Sequence, residues 1–308
     1  MHELKTVTFK NRNGLKLFGI LEVPDKNREK DICIILLSPG VKTRVAPHRL
    51  YWKMSHLLCE LGYSVFRFDF YGLGDSEGEI EEEFVADLYG SVAVGRYKED
   101  TLDAIDWIEK NFGIKKIILS GLCGGAITGL LAGVSDDRVI GLFGLGVPVS
   151  LYGSNIDKTK YISQGQLKDL RGGYFSKIFD FKSWARLLMF KSDFRVIGKV
   201  LMQLINKPKK KVPPAESDNS DSDFNTLFVP AFFHMASNSR HLLLIYSGGD
   251  RLGWEFKEKF SEPYQEKIKQ HSGNYEIHDI EKANHILSAP EWQKEMMDYI
   301  TVWLNRYY

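Results

Sequence analysis

Ile117-Ile118-Leu119-Ser120-Gly121-Leu122-Cys123-Gly124-Gly125-Ala126 is the stretch on which the reading of this chain turns. An apolar, β-branched run stops at a glycine. Two residues later comes a cysteine, then two more glycines and the opening of a helical segment. The pattern is glycine-x-nucleophile-x-glycine, in which a strand turns abruptly into a helix and holds one side chain at the tip of the bend. Gly121 and Gly125 suit the flanks because side chains there would collide with backbone. The cysteine then lies at a helix N-terminus, where the helix dipole favours thiolate over thiol. Short glycine-rich strand-to-helix turns also bind phosphate, so this one is decided by its partners elsewhere in the chain.

Outward from the elbow, strand and helix patterns alternate. Residues 4–10 and 15–23 read as strands around the turn Asn11-Arg12-Asn13-Gly14. Residues 32–37 form a continuous apolar run, as expected of a strand buried on both faces. A helix over about 48–61 ends at Gly62, and 64–68 is the next strand. A helix at 98–111, the elbow strand, a helix near 124–134 and a strand near 138–146 follow. After a break come a strand at 241–246, a helix at about 253–270, a strand near 275–280 and a final helix at about 290–304. This alternation predicts an α/β fold, a mostly parallel central sheet with helices on both faces.

The break falls between about Tyr152 and Asn238, where aromatic residues and helical spacings (Trp184, Leu187, Leu188, then Val196, Val200, Leu204) replace the alternation. The expected organisation is a core of 1–151 and 239–308, with 152–238 inserted as a helical cap. Within the cap, 207–223 combines a lysine run, a double proline and Ser217-Asp218-Asn219-Ser220-Asp221-Ser222-Asp223. That composition predicts a solvated, disordered linker rather than a nucleic-acid signal.

The partners of Cys123 stand where nucleophilic catalysis needs them. Asp250 follows the strand ending at Tyr246, and His285 lies in the loop after the last strand. Nucleophile, acid and histidine thus come in one chain order, each at the sheet edge where ligands bind in open parallel sheets. In this reading Cys123 attacks a carbonyl, His285 moves the proton and Asp250 orients the imidazole. The oxyanion donors fall by position to the N–H groups of Gly124 and of Val41, after Pro39-Gly40. Each role has a structural alternative: a packed thiol for Cys123, a helix N-cap for Asp250, and His271 or His278 in place of His285. Lys42, Arg44, His48 and Arg49 lie beside the oxyanion loop and read either as a grip on an anionic substrate handle or as loop surface charge. Trp184 joins Arg44, His48 and Arg49 as a candidate substrate contact from the cap.

With these residues in view the chain resembles the α/β-hydrolase superfamily over essentially its full length. Within it, the sequence is similar to the exosortase-system-associated hydrolases and their serine-aminopeptidase-like relatives. The resemblance is carried by Pro39-Gly40-Val41, Arg44, Pro47-His48-Arg49-Leu50-Tyr51, Arg67-Phe68-Asp69 with Gly72-Leu73-Gly74-Asp75-Ser76, the elbow itself, and the segment from Ser183-Trp184 to Ser192-Asp193. It implies the α/β-hydrolase fold and acyl chemistry, and that group tends to carry cysteine at the elbow. Asn284 departs from it, since aspartate usually precedes the histidine.

Composition narrows the function class. A formal net charge of +1 gives no reason to expect nucleic acid or an anionic membrane as partner. No apolar run reaches the length of a membrane span, and Met1-His2-Glu3-Leu4-Lys5 lacks the order of a secretory signal. Cys33 and Cys59 read as packed thiols, and a reducing cytoplasm suits all three cysteines. No cofactor or metal enters this reading. A thiolate leaves as readily as it attacks, so amides and simple alkyl esters expel it before their own leaving group. The expected substrate is therefore an activated ester or a small acyl group carried as a thioester, with transfer to water. Transfer to another acceptor, or a catalytically silent binding protein on the same fold, are the alternatives.

Overall fold

The computed structural model describes residues 2–151, 223–237, 240–271 and 273–308. Its centre is an eight-stranded sheet in the order β1-β2-β4-β3-β5-β6-β7-β8. β1 (Glu3–Lys10) and β2 (Lys16–Val23) form an antiparallel hairpin, and β2 runs antiparallel to β4 (Ser64–Phe68). β3 (Cys33–Leu37), β4, β5 (Ile117–Leu122), β6 (Val139–Leu145), β7 (His241–Ser247) and β8 (Tyr275–Ile280) are mutually parallel. Every residue of β3, β4 and β5 is buried, which is why apolar residues fill them without alternation, apart from the buried Ser64, Arg67 and Ser120.

α1 (Leu50–Glu60) and the C-terminal α8 (Pro290–Tyr307) pack on one face, and their Leu50, Met54, Leu58, Met296, Ile300 and Trp303 join the strands in one core cluster. α3 (Lys98–Phe112) and α4 (Gly124–Gly133) pack together with α2 (Val85–Ala93) and α5 (Phe228–Ser237). All ten residues of α4 are buried. It starts directly from β5 and runs through the centre of the molecule, so its sequence, Gly-Gly-Ala-Ile-Thr-Gly-Leu-Leu-Ala-Gly, carries no charge.

Three sequence expectations are corrected. α2 went unread because Gly90 and Ser91 dilute its helical signal, although it buries Leu88 and Val92. The expected helix over 253–270 is broken into α6 (Arg251–Phe256), a π-turn (Lys257–Ser261) and α7 (Gln265–Lys269). Pro263 stands at that break and cannot donate to a continuous helix. The core also resumes earlier than residue 239. Asp223–Tyr308 belongs with the sheet in one compact unit, and α5 packs on α4 and β7. Leu151 N–H donates to Asp223 O at 2.6 Å, Ser150 bridges Phe224, and Asn225 N–H donates to Val149 O at 2.8 Å. The inserted segment therefore leaves and re-enters the core at neighbouring points. The cap and linker expected within it, and Trp184, lie outside the described residues.

A Cβ on Gly125 would come within 3.0 Å of the carbonyl oxygens of Leu37 and Ser38, and one on Gly121 within 3.0 Å of the Gly125 backbone. Gly125→Ala is expected to destabilise the fold by about 1–3 kcal/mol, the usual cost of overpacking. Equilibrium urea unfolding measures it, and an unchanged midpoint would show that α4 can slide away from β3.

Candidate active site

Cys123 is the residue between β5 and α4, with φ 53° and ψ −112°. A non-glycine side chain adopts such a conformation only when its surroundings over-determine it. Here they do. Cys123 N–H donates to Leu145 O at 2.8 Å, and its carbonyl accepts from the Ala126 and Ile127 amides at 3.0 and 3.2 Å. One peptide group is tied to β6 and the other to the first turn of α4. The Cys123 side chain is partly exposed, whereas Cys33 and Cys59 are buried.

Asp250 and His285 are brought together by lacing between two loops. Gly248 N–H donates to Ile280 O at 2.9 Å and Gly249 N–H to Ala283 O at 3.0 Å. A Cβ on Gly248 would come within 3.0 Å of Glu281 O, so this approach of the loops needs glycine. At its end, His285 Nδ1 lies 2.6 Å from Asp250 Oδ2, while Asp250 Oδ1 accepts weakly from Leu252 N–H at 3.5 Å. One carboxylate oxygen thus faces the imidazole and the other caps α6. Burial alone would raise the Asp250 pKa, but the hydrogen bond and charge of His285 outweigh it and hold the carboxyl below its ordinary value.

The Asp250 hydrogen bond, followed by one to Cys123, lifts the His285 imidazole to about 10 against the effect of burial. An imidazolium is thereby favoured between the carboxylate and the sulfur. The rival histidines stand elsewhere: His271 rests against Phe233, and His278 stacks on Tyr299 and faces Glu276. Asn284 accepts from Ser288 N–H at 3.1 Å and donates to Ser288 Oγ at 2.8 Å. An aspartate could make the first bond equally well, so the loop that carries His285 keeps its tie despite the exchange.

The loop after β3 lies against the elbow, because a Cβ on Gly124 would come within 3.0 Å of the Gly40 backbone. Gly124 opens α4, where a backbone N–H lacks an intrahelical acceptor. The Val41 N–H is engaged: it donates to Pro39 O at 2.8 Å across Gly40, whose φ is +66°. The loop thus forms a tight three-residue turn.

Arg44 is fixed by its own partners. Its guanidinium pairs with Asp69, which is fully buried, and with Asp75 at 2.6 Å, while its backbone N–H donates to Asp69 Oδ1 at 2.6 Å. It clamps the loop, and it is not offered to a ligand. His48 and Arg49 are exposed, both with positive φ.

Two tyrosines were not singled out from sequence. Tyr51, fully buried on α1, donates to Leu37 O at 2.7 Å and accepts from Leu122 N–H at 2.6 Å. Its hydroxyl replaces a ladder bond where β3 and β5 part, one towards the Gly40 turn and the other towards Cys123. Tyr51 stands within the motif Pro47-His48-Arg49-Leu50-Tyr51, but nothing local signals that role. Tyr89 on α2 is half-buried, lies close to Gly40, and has its phenol pKa raised by burial and by the Cys123 charge.

No protein-family model matches this sequence, and no curated protein matches it. Solved structures do. The esterase Pf2001 of Pyrococcus furiosus aligns with a TM-score of 0.60 and 18% identity, covering 99% of this chain and 91% of that one. An α/β serine hydrolase homologue from Coxiella burnetii aligns at 0.52 with 14% identity, over 96% and 94% of the two chains. XC6422 from Xanthomonas campestris, described as an α/β serine hydrolase without a lid, aligns at 0.51 with 12% identity over 98% and 95%. Together with the sheet order and the elbow, these likenesses establish the α/β-hydrolase fold.

Tyr51→Phe leaves Leu37 C=O and Leu122 N–H buried without that partner, and is expected to lower stability by about 1–3 kcal/mol in urea unfolding. It should also slow iodoacetamide modification of Cys123; unchanged stability and reactivity would remove Tyr51 from the site. The pH dependence follows from the two shifts. Raised to about 10, His285 stabilises the fold fully below its ordinary 6.5, and that contribution is lost as pH rises through 10. Asp250, lowered, contributes above its ordinary 3.8 and loses this as pH falls through its lowered value. The stability difference between the native protein and His285→Gln should therefore be greatest in mildly acidic solution and fade in strong alkali. A difference that grows with pH would contradict the assignment.

Proposed function

We propose that this protein is an acyl hydrolase that transfers an acyl group from an activated ester or a thioester to water through an acyl-cysteine on Cys123. One observation carries the reading: the 2.6 Å contact between Asp250 and a His285 whose imidazole pKa is raised by Cys123 as well, with Cys123 at the strained tip of an elbow. The motif resemblance to exosortase-associated hydrolases, with their elbow cysteine, supports it. The names esterase and serine hydrolase borne by structural neighbours point the same way.

In this mechanism the Cys123 sulfur attacks the acyl carbon and a C–S bond forms while His285 holds the proton as imidazolium. The tetrahedral oxyanion takes hydrogen bonds from Gly124 N–H and Val41 N–H. Val41 N–H must first turn from Pro39 O, so the approaching oxyanion completes its own hole. Collapse expels the alcohol or thiol, which receives the proton from His285. Water then enters, His285 takes one of its protons, and the C–S bond breaks to release the acid and restore the sulfur. Asp250 stabilises the imidazolium in both halves.

A thiolate is a good leaving group, so the forward collapse is favoured only when the substrate's own leaving group is at least as good. This supports thioesters and activated esters over amides. His48 and Arg49 remain proposed substrate contacts; Arg44 is withdrawn because Asp69 and Asp75 hold it.

Intact mass spectrometry after mixing with a panel of activated esters and acyl thioesters is expected to reveal one acyl adduct per chain, on Cys123. Cys123→Ala should abolish adduct and turnover, a loss of at least about a thousandfold, while Cys123→Ser stays folded with a shifted substrate profile. Full turnover by the alanine variant would overturn the nucleophile. Neither adduct nor turnover with any of the panel would favour a binding protein.

A further inference from the structure

At the far end of α1, about 12 Å along the helix from Tyr51, a second group of polar side chains gathers away from the elbow. Glu22 on β2 is buried to 2% exposure. His2 Nε2 lies 3.0 Å and His56 Nδ1 3.4 Å from the same carboxylate oxygen, Oε1. Cys59, also 2% exposed, stands three residues after His56, on the same face of α1. One donor atom from each of His2, Glu22 and Cys59 lies within 4.8 Å of the other two. β-pairing helps create the group: Leu4 lies opposite Glu22 and Glu3 opposite Val23, so His2, one residue beyond the ladder, lies diagonally across from Glu22.

We propose that His2, Glu22, His56 and Cys59 form a binding site for one zinc-class divalent cation. The donor set is two imidazoles, one carboxylate and one thiolate. Such borderline-soft ligands suit zinc and cobalt and disfavour magnesium or calcium, which take oxygen. The charges also balance, since the carboxylate and the thiolate neutralise a dication and two neutral imidazoles complete a tetrahedron. On binding, the Cys59 S–H bond breaks, its proton passes to solvent and a sulfur–metal bond forms.

The thiol distinguishes this from a plain imidazole–carboxylate network. The His–Glu contacts leave Cys59 out, yet its sulfur stands within reach of the same centre. Bond lengths near 2.0–2.3 Å require ligand atoms about 3.5 Å apart. His2, Glu22 and Cys59 already lie within 4.8 Å of one another, while His56, 3.4 Å from Glu22 but outside that group, must rotate further to join them. His56 also faces Glu60 at 3.7 Å, an acceptor for its second ring nitrogen, as metal-bound histidines usually have. The bound ion would join the chain start, the β1–β2 hairpin and α1, and it involves no residue of the proposed acyl chemistry.

Titrating the metal-stripped full chain with cobalt(II) tests this directly. The expected result is one cobalt per chain, with a thiolate-to-cobalt charge-transfer band and the intense visible bands of tetrahedral cobalt, both displaced by zinc. Cys59→Ser should remove the charge-transfer band. His2→Gln and His56→Gln should each weaken binding at least about tenfold. Cys123→Ser should leave the spectrum intact. No thiolate band would overturn the proposal, and so would a band that survives Cys59→Ser but disappears in Cys123→Ser, because the cation would then sit at the elbow.

Discussion

The close approach of α4 to the end of β3 governs the rest of the molecule. Gly125 meets the Leu37 and Ser38 carbonyls with no room for a side chain, and Gly121 packs equally tightly on Gly125. A helix that must begin within two residues of a strand, pressed against the neighbouring strand, leaves the residue at the bend few conformations. Cys123 therefore accepts a positive φ, at a cost of about 1–3 kcal/mol that the buried α4 recovers through packing. The same approach sets Gly40 beside Gly124, so the loop after β3 packs against the start of α4.

Polar groups complete what the packing begins. Strands that diverge at a sheet edge leave ladder donors and acceptors without partners, and Tyr51 supplies a hydroxyl to both sides of the gap between β3 and β5. On the other side of the elbow, glycine-mediated lacing of the loops after β7 and β8 fixes the Asp250–His285 distance. Main-chain contacts thus position each of the three candidate groups, and the carboxylate then orients the imidazole. A bend held in this way leaves the chemistry of the side chain at its tip open, because the Cys123 backbone makes the hydrogen bonds that place it.

Much of this was legible in sequence because it is local. The continuous apolar run at 32–37 and the mainly apolar segments at 64–68 and 241–246 mark buried strands, and the glycines at 121 and 125 mark the bend. Asp250 and His285 follow from strand ends. What escaped depends on contacts between distant segments. α2 and α5 carry glycine or proline, so their helical signal is weak, and burial against α4 stabilises them. Arg44 read as a free cation because nothing near it in sequence reveals the buried Asp69, 25 residues away. The His2, Glu22, His56 and Cys59 group draws on three elements and depends on hairpin register.

The stretch from Gly40 to Arg49 shows what that clamp is for. Gly40, Ala46, His48 and Arg49 all have positive φ, between 53° and 66°, and three of them bear a Cβ. Left alone, such a run would relax, since each non-glycine position in that region costs energy. It is held at both ends and in the middle. Tyr51 N–H donates to Val45 O at 3.2 Å, Ala46 N–H to Thr43 O at 3.0 Å, and Arg44 is pinned by Asp69 through backbone and side chain together. Asp69 is itself the residue after β4, fully buried, and a Cβ on Gly74 would displace it. An ion pair of this burial contributes little net stability against hydrophobic replacement, but losing one partner strands the other charge. Its effect is therefore on geometry. It keeps the strained loop, and with it the Val41 amide that turns back on Pro39 O, held against the start of α4.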